Sequence, residues 1–87
     1  MHIDESNLYR TFDFANASAL LALGYKLELL DRSRPDGRVD FCFIRDGGLD
    51  EAVQAHFAGN LKLSTVSYFS AQRSLKSRLH NEMGDRR

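Results

Sequence analysis

Two segments of strict apolar–polar alternation flank one turn sequence, and they constrain the fold more than any other feature of the chain. In Tyr25-Lys26-Leu27-Glu28-Leu29 and in Val39-Asp40-Phe41-Cys42-Phe43 the side chains alternate with period two. Tyr25, Leu27 and Leu29 therefore share one face of a strand, and Val39, Phe41 and Phe43 share one face of another. Between them, Arg32-Ser33-Arg34-Pro35-Asp36-Gly37-Arg38 contains Pro-Asp-Gly. Proline presets φ at the second turn position and glycine accepts φ > 0, so the two strands read as a β-hairpin. A hairpin with one apolar face needs cover, and the rest of the chain has to supply it.

The cover reads as helical. Asp13 is a good N-cap before Phe14-Ala15-Asn16-Ala17-Ser18-Ala19-Leu20-Leu21-Ala22-Leu23, and Gly24 follows as a C′ glycine. After Asp46-Gly47-Gly48, the residues Leu49, Ala52, Val53, His56 and Phe57 recur at the spacing of one helix face, closed by Gly59-Asn60. Leu61-Lys62-Leu63 makes a short link, Ser64 is a plausible N-cap, and a last helix is predicted from about Thr65 to Glu82. Before the first helix, Leu8-Tyr9-Arg10-Thr11-Phe12 alternates as a short strand.

The predicted order is βαββαα. This is an α+β fold with a small three-stranded, mostly antiparallel sheet and helices over one face, the first strand beside the third. One domain spans residues 8–83, with 1–7 and 84–87 as flexible termini. Leu49, Val53, Phe57, Phe41, Phe43, Leu75 and Leu79 are expected to share one core.

Composition narrows the setting. A chain of 87 residues buries only about 60–65% of its unfolded surface, so its stability margin is thin. Cys42 is the only cysteine, so no intrachain disulfide can staple the domain, and a reducing, cytoplasmic setting is expected. The N-terminus lacks a basic region followed by an apolar run, and the longest apolar stretch, Ala19 to Leu23, is far too short to span a bilayer. No membrane association is expected.

Twelve basic and twelve acidic residues cancel, which argues against an overall positive field for nucleic acid. The charge is unevenly spread: residues 46–71 carry a net −2 and residues 72–87 a net +3.

The residues Tyr9-Arg10-Thr11 with Asp13, Ala17 and Leu20-Leu21 before Gly24-Tyr25, and Val39, Phe41 and Phe43 resemble a small bacterial and phage family, domain of unknown function 5659. The ending Tyr68-Phe69-x-Ala71-x-Arg73-x-Leu75-Lys76-Ser77-x-Leu79 is similar to that family's closing motif. The likeness covers roughly residues 8–80. It implies an origin in bacteria or their mobile elements and brings no activity with it. Cys42 and the Asp46-Gly47-Gly48 turn are particular to this chain and inherit no role.

Chemistry is sparse. His2, His56 and His80 are far apart and no cysteine cluster accompanies them, so no metal site is expected. Asp46-Gly47-Gly48 lacks the ending of a phosphate-binding loop and is explained by a tight turn. Cys42 reads as a small apolar residue, and Asp13, Glu28, Asp40 and Glu51 each have a cap, strand-exterior or helix-start explanation. No catalytic residue and no cofactor are expected, and the chain reads as non-enzymatic.

The last helix is the informative element. At 100° per residue, Tyr68, Ala71, Leu75, Leu79 and Met83 form a stripe read as core, while Val66, Phe69, Arg73, Lys76 and His80 gather on nearly the opposite side. The second stripe mixes apolar side chains with cations. It suits contact with an acidic protein; with Arg32, Arg34 and Arg38 at the hairpin tip it also suits nucleic-acid phosphates. A solvated face whose Val66 and Phe69 merely close over the preceding helix explains it as well. The expectation is an accessory or inhibitory protein acting by protein–protein contact through the last helix and the exposed side of the hairpin, alternatively a nucleic-acid-binding module using the basic last helix and the hairpin tip, with Val66, Phe69, Arg73, Lys76, His80, Arg34 and Arg38 as the binding residues in either case. A homodimer remains open.

Overall fold

The computed structural model describes residues 7–84, with side chains through Asn81. Its elements follow the expected order: β1 (Leu8–Thr11), α1 (Phe14–Ala22), β2 (Leu27–Asp31), β3 (Asp40–Ile44), α2 (Leu49–Ala58) and α3 (Thr65–Gly84). The strands form one antiparallel sheet in the order β1-β3-β2. The hairpin partner therefore lies on one side of β3 and the N-terminal strand on the other. The flexible termini expected at 1–7 and 84–87 fall, for residues 1–6 and 85–87, outside the described residues. Asn7 extends the β1–β3 pairing, its carbonyl accepting from the Arg45 N–H at 2.7 Å.

Local chemistry sets the helix boundaries. The Asp13 carboxylate accepts from the Asn16 N–H at 2.9 Å, capping α1. α2 starts without a side-chain cap. Gly48 instead takes φ 105°, where a β-carbon would also come within 3.1 Å of the Tyr25 hydroxyl, so both backbone and space select glycine. α2 ends on Gly59 at φ 79°, its N–H turned back onto the Ala55 and His56 carbonyls.

The core joins both layers. Phe41 and Phe43 from β3, Leu27 from β2, Ala17 and Leu20 from α1, Leu49 from α2 and Leu75 from α3 form one buried cluster. α1 makes the main helix–helix contacts, packing against both α3 and α2. This central position explains why five consecutive residues, Asn16 to Leu20, are buried on every side of so short a helix. It also encloses polar groups. The Asn16 amide donates to the Tyr9 hydroxyl at 2.7 Å, while Asn16 Oδ1 and Ser18 Oγ are buried with no hydrogen-bond partner among the described residues.

Several expected core positions lie elsewhere. Leu27 pairs with Phe43, yet Leu29 pairs with Cys42 and Leu30 with Phe41, so a bulge at Glu28 shifts the alternation by one. Leu30 takes the inward place expected of Leu29, which is 40% exposed. Tyr25 and Val39 lie outside the strands and are half-buried, Tyr25 still packing against the cluster. Phe57 is 61% exposed and not core. The α2 stripe centres on Leu49, Ala52, Val53 and His56, and Phe57 lies off its edge in the last turn. Val53 and Leu79 pack against the cluster while half-buried. Tyr68 is half-buried outside it, and the side chain of Met83 is outside the described residues.

Substitution separates the two registers. Leu27→Ala is expected to cost about 2–5 kcal/mol, and Leu29→Ala only ~1 kcal/mol because much of its side chain already meets solvent. Equal losses in chemical denaturation would contradict the bulge.

Candidate functional site

α3 presents the second stripe to solvent. Val66 is 74% exposed and Phe69 51%, and Arg73, Lys76 and His80 are exposed beside them. The opposite side of the helix carries Ala71 and Leu75 into the core, so the outward direction of the stripe follows from which side is anchored. No ion pair joins Arg73 or Lys76 to a carboxylate among the described residues; Arg73 only donates to the Ser70 hydroxyl at 3.3 Å. The face therefore offers two large apolar side chains and two cations within three helical turns.

The hairpin tip differs. The Arg34 guanidinium pairs with Asp36 at 3.1 Å and with Asp40 at 3.7 Å, and Arg38 Nε lies 4.0 Å from Asp36. Both guanidinium carbons also sit over the Phe12 ring, 4.7 and 4.6 Å from its centroid. The hydrogen bonds from Arg34 and from the Arg38 N–H hold the Asp36 carboxyl below its ordinary value, and the Asp36 bond raises the Arg34 guanidinium. Sheet register explains the meeting. Thr11 pairs with Phe41, so Phe12 emerges level with the start of β3 and beneath the tip. Arg32, the third tip arginine, reaches the Leu79 carbonyl at 3.4 Å. The structure thus ties Arg34 and Arg38 to Asp36, Asp40 and Phe12 and not to the outward face of α3, while Arg32 meets α3 at the Leu79 backbone on its inner side.

Across the sheet face that carries Cys42, Arg10 of β1 reaches Asp31 of β2 at 2.7 Å, spanning the central strand. Hydrogen bonds from Ser33 and Arg10 bring the Asp31 carboxyl down to about 2. Cys42 itself is fully buried, with its Sγ 3.8 Å from the Asp40 carbonyl oxygen. This suits a small apolar residue, as its composition suggests, and burial on the face opposite Phe41 and Phe43 leaves no accessible thiolate.

Two surface hollows flank α3. A groove of about 530 Å³ runs between α1 and α3, with Leu21 and Ala22 on one wall and Val66, Ser70, Ser74 and Arg78 on the other. A smaller one of about 330 Å³ gathers His56, Leu61, Leu63 and Tyr68 where α2 ends and α3 begins. His56 stacks edge-on against Phe57 at 4.8 Å. Among the described residues no three histidine, cysteine or carboxylate side chains are grouped to hold a metal ion, and no helix is long and apolar enough to cross a membrane.

The sequence reading missed one surface. On α2, Asp50, Gln54 and Phe57 follow i, i+4, i+7 spacing, and with Glu51 they form an exposed acidic face around an exposed ring. Compared with protein-family models, curated proteins and solved structures, the chain matches none. The likeness to domain of unknown function 5659 therefore stays a resemblance of sequence pattern.

Proposed function

We propose that this protein is a non-enzymatic accessory or inhibitory protein that works by protein–protein contact, presenting the outward face of α3 to an acidic protein surface. The observation that carries the reading is the pairing of exposed Val66 and Phe69 with Arg73 and Lys76, which form no ion pair among the described residues, on a helix anchored from its other side. Apolar anchors surrounded by charges of one sign are how a polar-rimmed interface gains both affinity and orientation. The nucleic-acid alternative needed free arginines at the hairpin tip. With Arg34 and Arg38 engaged by Asp36 and stacked on Phe12, the tip adds little phosphate-tracking charge to a chain of zero net charge.

The double change Arg73→Glu and Lys76→Glu is expected to leave stability within about 0.5 kcal/mol, as surface substitutions usually do. It should weaken the purified partner's binding at least tenfold in calorimetry, by charge reversal. A charge-reversed protein that keeps full affinity removes α3 from the interface. A gel shift of duplex or single-stranded DNA at low salt that vanishes steeply as salt rises favours the nucleic-acid reading instead.

A further inference from the structure

Resting on the α3 reading, we infer that one partner of this face is a second copy of the same chain, which docks through its α2. The two helices carry complementary halves of one interface. α3 exposes Val66 and Phe69 followed by Arg73 and Lys76; α2 exposes Asp50 and Glu51 followed by Phe57. The order is reversed, apolar first on α3 and acidic first on α2, so the two match when the helices run antiparallel.

The spacing matches as well. Asp50 to Phe57 is seven residues, and so are Val66 to Arg73 and Phe69 to Lys76. At ~1.5 Å per residue each pair is separated by about 10 Å along its helix. An antiparallel α2 that seats Phe57 between Val66 and Phe69 thereby brings Asp50 and Glu51 level with Arg73 and Lys76. Antiparallel packing in this register also sets the negative C-terminal end of α2 beside the positive N-terminal end of α3. Glu51 forms no ion pair among the described residues, and Asp50 is held only by Arg45 at 3.1 Å on the open surface.

Both helices sit on the same side of the sheet, since Leu49 of α2 and Leu75 of α3 enter the same cluster under Phe41 and Phe43. Two reciprocal α2–α3 contacts then close a two-fold dimer, the arrangement in which every patch finds its complement. The zero net charge of the chain adds no global repulsion between copies.

A charge-swap series on the full chain tests the inference, with mass read by light scattering from low micromolar to millimolar protein. The wild type is expected to dimerise, more weakly as salt rises. Arg73→Glu with Lys76→Glu in one protein, and Asp50→Lys with Glu51→Lys in another, should each be monomeric, and their equimolar mixture should associate again. Phe57→Ser, at an exposed position and so compatible with folding, should weaken dimerisation at least tenfold without touching a charge.

A wild type that stays monomeric to millimolar concentration overturns the inference, as do swapped variants that dimerise like the wild type or fail to associate when mixed. Growth into open chains overturns the closed dimer. If the wild type is monomeric while its α3 face still captures an acidic protein and loses it in the Arg73→Glu, Lys76→Glu variant, self-pairing alone falls and the α3 reading stands.

Discussion

Phe41→Ala is expected to lower the unfolding free energy by about 3–5 kcal/mol, enough to leave the domain largely unfolded near physiological temperature. Phe41 is only 4% exposed and lies on the central strand, paired with Thr11 on one side and Leu30 on the other. Its ring also meets Phe14 of α1 edge-to-face, with centroids 6.2 Å apart. The ring thus connects all three strands to the helix that the other helices pack upon. Alanine would open a cavity that no single element can collapse into, because each neighbour is held by partners of its own. Natural domains are stable by ~5–15 kcal/mol, and one this small buries proportionately less surface, so the loss is a large share of the total. The test is the midpoint of a urea transition at constant slope. An unchanged midpoint would place Phe41 on the other face of β3 and refute the register.

The order of elements was legible because each boundary carries its own chemistry. Asp13 caps α1, Gly59 stops α2 and Pro35-Asp36-Gly37 turns the hairpin, all as their residue types require. The β2 bulge was not legible. Leu29 and Leu30 are both leucine, so alternation cannot say which faces inward, and only the pairing of β3 with both strands decides it. Phe57 misled for a related reason: a five-residue stripe fixes a helix face only to about one side chain's width, and the last turn of α2 overhangs the core.

The candidate site divides in the same way. Helical angle alone separated the buried and exposed sides of α3, because Ala71 and Leu75 leave only one face to anchor it. The engagement of Arg34 and Arg38 depended on Phe12 arriving from β1, a contact between residues more than twenty positions apart that no local pattern encodes. The acidic face of α2 was visible as composition in residues 46–71. It became a surface only once Phe57 proved to lie outside the core.

Leu75→Ala should be the second most damaging change, costing about 2–5 kcal/mol, and its effect should be distributed differently. α3 is otherwise a polar helix. Leu75 is completely buried, Ala71 contributes one methyl, and Tyr68 and Leu79 are only half covered. α3 packs mainly on α1, and among the described residues Leu75 is the one fully buried side chain it sends into the shared core, so its loss should free α3 before it unfolds the strands. Hydrogen exchange separates the two events: the amides of α3 should lose protection by a larger factor than those of β3, whereas Phe41→Ala should lower both together. Arg73 lies 200° around the helix from Leu75, and Arg73→Glu should leave exchange in α3 nearly unchanged. If Leu75→Ala instead lowers protection uniformly, α3 folds as one cooperative unit with the sheet. If Arg73→Glu lowers it as much as Leu75→Ala, the division of α3 into a buried and a binding side is wrong.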